Sequence, residues 1–259
     1  MVEIFPEEDW KPAQPSSSDH LWRYIDFTQF VSVLEKDALW YPRASEFFDS
    51  YEGALPDSKI KQIANGIPNH ISNREDKVSR YYDALRNSTY VSCWHQRSGE
   101  TAAMWQVYQN KGKEVAIRTT IGDFNAAIEE DSLEITNGLV KYINYDNPRE
   151  FITNKTSPFF FKRSSFRHEE EFRSVVSDFD PPEGSAIDED FAKKVADNAK
   201  PGVPIPVDKE KLINEVYISP VAGGWLEGLV EDVLKTHNMS DINVRASSLT
   251  ENPFDNGDR

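Results

Sequence analysis

The stretch Ser157–Val176, SPFFFKRSSFRHEEEFRSVV, opens with three consecutive phenylalanines and closes with apolar residues around a highly charged middle. Both ends need a hydrophobic core. The middle lacks the 3.6-residue period of a helix, so residues 166–176 are predicted to form a strand, on which side chains alternate between two faces. One face would then carry Arg167, Glu169, Glu171 and Arg173. Such a face is either a solvated surface laced with cross-strand ion pairs or the floor of a polar cleft.

The composition of the chain limits the classes of function that this stretch can have. The chain has 259 residues, with 29 Lys and Arg against 44 Asp and Glu, a formal net charge of -15. A protein that coats DNA needs a broad positive field, so this class is disfavoured, although a local basic patch at 162–173 is compatible with the total.

Cysteine, histidine and hydropathy indicate the compartment. The one cysteine, Cys93, allows no disulfide framework and no cysteine zinc site, which is typical of a reducing cytoplasm. The five histidines form no metal-binding pair, so we expect no metal. There is no long apolar run and no secretory leader, so neither a membrane segment nor a membrane partner is expected.

The order of predicted elements indicates an α+β fold. Strands are predicted at 21–25, 89–94 and 115–119, and helices between them, which gives a mixed, mostly antiparallel sheet with flanking helices. We predict a single domain over 20–250. Residues 1–19 are expected to form a flexible arm, with Trp10 as its anchor, and residues 251–259 a frayed tail.

Three local expectations can be compared directly with a structure. Asp26 and Gln29 have the spacing of a capping box at a helix start. Phe47 and Phe48 are expected to lie under a loop. The last helix is expected to bury one side that carries Trp225, Leu226, Leu229, Val230, Val233 and Leu234, and truncation of Trp225 or Leu229 should be costly.

Arg23 lies between Trp22 and Tyr24 on a short predicted strand. An arginine there is either an edge ion-pair partner or a bidentate phosphate ligand. Arg118, on the strand VAIRT, is a plausible neighbour of the charged strand.

The segment 93–104, CWHQRSGETAAM, is predicted to run from a strand through a polar loop into a helix that starts near Glu100. Amides at such a helix start can hold an anion, although a solvated turn explains the same residues. Cys93 and His95 share one strand face, as in thiol catalysis, yet the apolar setting favours a structural cysteine.

The quoted segments, together with LWRYIDFTQFVSVLEKDALWYPRASEFFDSYEG and VYISPVAGGW, resemble the domain of unknown function 2971 family over about residues 20–250. That family has no assigned reaction, and its relatives include candidates for phage defence. The family has a strand with two acidic residues and an arginine at alternate positions. In this sequence these positions correspond to Glu169, Glu171 and Arg173, and His168 precedes them. Residues 49–52, DSYE, depart from the turn that many members carry.

The layout is also similar, more remotely, to ADP-ribosyltransferases of the DNA-targeting toxin kind. The resemblance implies that Arg23 lies on the first strand, that a helix starting at Glu100 and reaching Met104 braces the nicotinamide, and that Glu171 is the catalytic glutamate.

The resulting hypothesis is an enzyme that uses NAD as a substrate, either a transferase or a glycohydrolase. A carboxylate stabilises the cationic sugar formed as the N-glycosidic bond breaks. Glu171 would take that role, and Glu169 would orient a protein or nucleic-acid acceptor. The predicted cofactor-binding residues are Arg23, Tyr24, Trp94, His95, Glu100, Met104, Trp105, Arg118, His168 and Arg173. Tyr24, Trp94 or Trp105 would stack on the nicotinamide.

Two further hypotheses are compatible with the same residues. A non-catalytic module that senses a nucleotide or binds a protein would explain the acidic surface and the polar cleft. A Mg²⁺-dependent nucleic-acid phosphodiesterase is less well supported, because its acids are usually more clustered and the net charge repels nucleic acid.

Overall fold

The computed structural model describes residues 10–109, 112–128, 134–149, 151, 154–180 and 189–250. The chain divides into two compact units. The first comprises residues 1–14, 40–93 and 131–203, and the second comprises residues 15–39, 94–130 and 204–259. The predicted tail 251–259 and the start of the predicted arm, 1–9, lie outside the described residues, and the predicted domain boundaries stay predictions.

The strands among the described residues are short, with three to eight residues each. They are β1 (His20–Asp26), β2 (Ala38–Pro42), β3 (Thr89–Gln96), β4 (Glu114–Thr120), β5 (Ile135–Leu139), β6 (Lys141–Ile143), β7 (Phe161–Arg163), β8 (Glu171–Ser177), β9 (Gly202–Pro206), β10 (Glu215–Ile218) and β11 (Asn243–Ala246).

The α-helices of the described residues lie between the strands along the chain. They are α1 (Phe27–Lys36), α2 (Asp57–Gly66), α3 (Arg74–Asn87), α4 (Ala102–Val107), α5 (Ile121–Ala127), α6 (Glu189–Asn198), α7 (Lys209–Leu212) and α8 (Trp225–Thr236). The predicted capping box is confirmed: the Asp26 side chain accepts from the Gln29 amide, and the Gln29 side chain accepts from the Asp26 amide.

The main sheet has seven strands in the order β11-β10-β4-β1-β3-β8-β5. The pairs β1–β3, β1–β4, β10–β4 and β5–β8 are antiparallel, whereas β10–β11 is parallel. The α+β class with a mixed, mostly antiparallel sheet is therefore confirmed.

In the first unit, α2 and α3 cover a core that includes Phe159, Phe160 and Phe161. The expected burial of the three phenylalanines is thus confirmed. Trp10 stacks on Phe161 with ring centroids 5.6 Å apart, as its expected anchoring role requires. The prediction for Phe48 is wrong, because its side chain is fully exposed.

In the second unit, α8 buries Leu226, Val230 and Leu234. The prediction that Trp225 and Leu229 are buried is wrong, since their exposed fractions are 58% and 38%. The face of α8 that carries Leu226, Val230 and Leu234 therefore packs on the core, and Trp225 and Leu229 lie toward solvent.

Candidate functional site

The charged stretch turns sharply instead of running straight. Residues Ser164–Glu169 form a 3₁₀-helix, Glu170 adopts a left-handed conformation with φ 42° and ψ 56°, and β8 begins only at Glu171. The predicted strand 166–176 is thus wrong over its first five residues. Because residues 166–169 are helical, the strand face predicted to carry Arg167 does not exist, and the side chains of Arg167 and His168 are both exposed.

The turn brings acidic and basic side chains of the first unit together. We call Glu52, Lys162, Glu169, Glu171 and Arg173 the carboxylate cluster. The Lys162 ammonium lies 2.5 Å from Glu169 Oε2, 2.5 Å from Glu171 Oε1 and 3.2 Å from Glu52 Oε1.

Arg173 ties the cluster to the backbone and to a distant loop. Its guanidinium donates to both oxygens of Glu52, at 2.7 and 2.8 Å, and to Glu171 Oε2 at 2.6 Å. A fourth bond, of 2.7 Å, goes to the Phe159 carbonyl. The side chain is buried, so nearly all of its hydrogen-bonding capacity is used inside the protein.

The two predicted catalytic carboxyls lie in different electrostatic environments. Burial alone would raise the pKa of Glu171, but Arg173 and Lys162 hold it well below its usual range. Burial, a hydrogen bond to Glu171 and the charge of that residue raise the pKa of Glu169 to about 8. Neighbouring carboxyls with opposite shifts can divide acid and base roles between them.

Access differs between the same two residues. The Glu171 side chain is 3% exposed and both its oxygens are engaged, whereas the Glu169 side chain is 17% exposed. Only Glu169 of this pair reaches solvent in this conformation. The catalytic roles of both residues stay predictions.

The predicted cofactor-binding residues of the second unit divide between the two faces of its sheet. Trp22 lies opposite Arg118 on β4 and His95 on β3, so these three share a face. Tyr24, two residues on, contacts the rings of His95 and Trp105 on that same face.

Arg23 points to the other face, where its guanidinium lies 5.5 Å from the centre of the Trp94 ring. It therefore does not share a face with Trp22 and Tyr24, as strand alternation requires. Trp94, Tyr24 and Trp105 are all buried. Protein atoms cover all three rings, and stacking on a nicotinamide stays a prediction that this conformation does not support.

Arg118 is engaged within the second unit. It forms an ion pair with Glu215, its Nη2 lies 2.8 Å from His20 Nε2, and it stacks over Trp22. Its predicted proximity to the charged stretch concerns the other unit and stays a prediction.

The helix predicted to start near Glu100 begins at Ala102, and the Glu100 carboxylate is engaged within the protein. Helix α4 spans only Ala102–Val107, and Thr101 caps its first turn. The Glu100 carboxylate instead accepts from the Ser247 hydroxyl, the Ser248 amide and hydroxyl, and the Trp105 indole. Burial opposes the shift, but these bonds lower the pKa of Glu100. Met104 is buried beside Trp105.

The structural interpretation of Cys93 is favoured by its surroundings. Burial and the nearby charge of Glu171 raise the pKa of its thiol, which disfavours the reactive thiolate.

We expect Cys93 to react with iodoacetamide at about pH 8 at least about tenfold more slowly than a free cysteine. Mass spectrometry of the alkylated protein measures this rate, and the urea-unfolded chain is the control. Equal rates in the folded and unfolded chains would contradict the assignment.

Comparison with known proteins gives few matches. No family model matches the chain, so membership of the domain of unknown function 2971 family stays a prediction. No curated protein matches it.

Solved structures of one protein, Thermus sp. 2.9 DarT, show a loose likeness. The complex with NAD+ is 7% identical, with a TM-score of 0.41 over 93% of this chain and 100% of DarT. The complex with carba-NAD+ is 7% identical, with a TM-score of 0.41 over 92% and 100%. The complex with ADP-ribosylated ssDNA is 8% identical, with a TM-score of 0.40 over 94% and 100%. At these values nothing about activity follows for this chain.

The described part of the chain shows neither a metal-binding cluster nor a membrane-spanning helix. Within the described ranges, no group of three or more His, Cys, Asp or Glu side chains is placed to hold a metal ion. An ammonium, that of Lys162, lies among the carboxylates of the cluster. No helix among the described residues is long and apolar enough to cross a bilayer.

Sequence reasoning missed Glu52 and Lys162 as members of the cluster. Glu52 lies 121 residues before Arg173, and no periodicity links them. The available signal was chemical: Arg173 lies between Phe172 and the apolar residues that close the stretch, and an arginine buried there needs an anionic partner from elsewhere in the chain.

Proposed function

We propose that the chain is an enzyme that cleaves the N-glycosidic bond of NAD at the carboxylate cluster, as an ADP-ribosyltransferase or a glycohydrolase. The observation that supports this most is the pair of Glu169 and Glu171, which share one ammonium and whose pKa values are shifted in opposite directions. Perturbed carboxyls of this kind gather at functional sites.

The reaction assigns different work to the two carboxyls. The bond between the ribose carbon and nicotinamide breaks, its electron pair leaves with neutral nicotinamide, and positive charge develops on the sugar. Ionised Glu171, which is buried, stabilises that charge through its electrostatic field and not by contact with the sugar. Glu169, which reaches solvent, takes the proton of the attacking hydroxyl or water. Only the ionised form of Glu169 can accept that proton.

The pH dependence follows from that requirement. Nicotinamide release is expected to rise about tenfold per pH unit below about pH 8 and to level off above it, because Glu169 loses its proton there. Glu169→Gln should abolish the rise, and Glu171→Gln should lower the rate by about 10²-fold or more. Release is measured by chromatography from NAD alone and with protein or nucleic-acid acceptors.

Glu170→Gln is the matched control, since it changes an exposed carboxyl between the two. Its rate should equal that of the parent. A Glu171→Gln rate equal to the parent's would overturn the assignment of the site.

A second candidate, a non-catalytic binding module, is favoured by the burial of Glu171 and Arg173 and by their pairing within the protein. Such a network needs no reaction to explain it. Absence of nicotinamide release together with absence of NAD binding by calorimetry would select this candidate.

A further inference from the structure

A cavity of about 350 Å³ lies in the first unit, at the end of the sheet where β3 begins and β8 ends. No residue of the carboxylate cluster lines it. Ser177, the last residue of β8, lies at the cavity, whereas Glu171 of the cluster is the first residue of that strand. Along an extended strand these two positions are about 20 Å apart. The cavity is therefore separate from the cluster.

The sheet supplies the floor of this cavity. Val175 and Ser177 share one face of β8 because strand side chains alternate. Thr136 of β5 lies opposite Val175 in the antiparallel register, and Glu134 immediately precedes that strand. Phe159, from the 3₁₀-helix Ser157–Phe160, also lines the cavity. The floor is thus built on paired strands and a short helix, which hold its shape.

Polar side chains outnumber apolar ones in the lining. Six of the ten lining residues are polar: Thr89, Glu134, Thr136, Lys155, Thr156 and Ser177. The Thr89 hydroxyl donates to the Leu85 carbonyl at 2.8 Å and lies 3.0 Å from the Ser177 hydroxyl, so the fold engages these two. The side-chain hydroxyls of Thr136 and Thr156 form no hydrogen bond with the described residues. Two threonine hydroxyls are therefore available to a ligand.

Two opposite charges reach the same cavity from different segments. Lys155 and Glu134 both line it, and neither forms an ion pair with a residue of the described ranges. The Asn154 side-chain oxygen accepts from the amides of Thr156 and Ser157, at 2.9 and 2.6 Å, which fixes the backbone that carries Lys155. An ammonium and a carboxylate are thus placed to bind complementary groups of one ligand.

Volume and chemistry together select the class of that ligand. The cavity has the liquid volume of about a dozen water molecules, which suits a phosphorylated monosaccharide. An apolar ligand would leave the charges and hydroxyls buried without partners, at a high desolvation cost. An amino acid would satisfy the two charges but leave the threonine hydroxyls unpaired. A sugar phosphate offers an anion and several hydroxyls, and so matches both sets of groups.

We propose that this cavity binds a phosphorylated sugar. Lys155 and Thr156 hold the phosphate, as an ammonium and a hydroxyl do in other phosphate sites. Glu134 and Thr136 bind the sugar hydroxyls, and the half-buried Phe179 ring packs on the carbon face of the sugar. The proposal goes beyond NAD cleavage and does not depend on it. The same chemical group occurs in free sugar phosphates and in nucleotides.

Calorimetric titration of the full chain with ribose 5-phosphate tests the proposal. Saturable binding of one molecule per chain is expected. Lys155→Met should weaken it by about tenfold or more, because it removes a charged partner of the phosphate. Thr136→Val keeps the side-chain shape and should weaken binding by about threefold to tenfold.

A matched variant controls for the change in net charge. Lys61→Met alters an exposed lysine on α2 of the same unit, outside the cavity, and should bind as the parent does. Ribose and inorganic phosphate, titrated separately, should each bind at least about tenfold more weakly than ribose 5-phosphate. AMP identifies the source: tighter binding than ribose 5-phosphate assigns the site to a nucleotide, and weaker binding assigns it to a free sugar phosphate.

Three results would overturn the proposal: no saturable binding of ribose 5-phosphate at millimolar concentration, equal binding by Lys155→Met and the parent, or inorganic phosphate binding as tightly as ribose 5-phosphate. Methyl NMR adds the location, since Thr136 and Val175 should shift on titration. None of these measurements involves NAD cleavage. A failure of nicotinamide release therefore counts against the proposed function alone, and a failure of the titration against this cavity alone.

Discussion

The Arg173→Met variant is expected to lose about 3–5 kcal/mol of unfolding free energy. Methionine fills much of the same volume but leaves Glu52 and Glu171 buried without their common guanidinium. Removal of one partner of a buried ion pair costs more than the pair contributes, because the remaining charge keeps its desolvation cost. Two anions are left here, which makes this the largest single effect expected from the cluster.

Urea denaturation followed by circular dichroism measures this loss. Arg245→Met is the comparison, because Arg245 also pairs with a glutamate, Glu215, but its side chain is 52% exposed. That variant should lose less than about 1 kcal/mol. Equal losses in the two variants would mean that the cluster contributes no more to stability than a surface pair.

Leu226→Ala is expected to lower the free energy of unfolding by about 2–5 kcal/mol. Leu226 is buried on α8, so its truncation removes apolar burial and leaves a cavity. Leu229→Ala, three residues along the same helix, should lose less than about 1 kcal/mol, since that side chain already contacts solvent.

The pair is matched in chemistry and in helix propensity, so only burial separates the two variants. Thermal melts and urea titrations of both give the comparison. A loss in Leu229→Ala equal to or larger than that in Leu226→Ala would show that α8 is rotated about its axis relative to this structure.

The last helix shows why its existence, but not its orientation, follows from the sequence. Trp225, Leu229 and Val233 form one stripe at i, i+4 spacing, and Leu226, Val230 and Leu234 form another. The two stripes are neighbours and equally apolar, so the period identifies a helix with two candidate buried faces. The choice depends on the residues that the rest of the chain supplies, which no local pattern contains.

The carboxylate cluster is predictable only in part, for a similar reason. The spacing of Glu169, Glu171 and Arg173 predicts them as site residues, and all three belong to the cluster. Strand alternation assigns them to one face, but the chain turns at Glu170 and reaches the arrangement by a different path. Glu52 and Lys162 come from other segments and can be found only once the fold has brought them together.

The left-handed backbone at Glu170 limits how this locus can change during evolution. Its φ of 42° is a conformation that glycine and asparagine adopt readily and that β-branched residues avoid. Homologues that retain the cluster should therefore have at this position only the few residue types that tolerate a positive φ, even though the residue is exposed. Insertion or deletion of one residue here would separate the flanking glutamates from their shared ammonium. The triplet 169–171 is thus constrained in length by its backbone and in chemistry by its two ends.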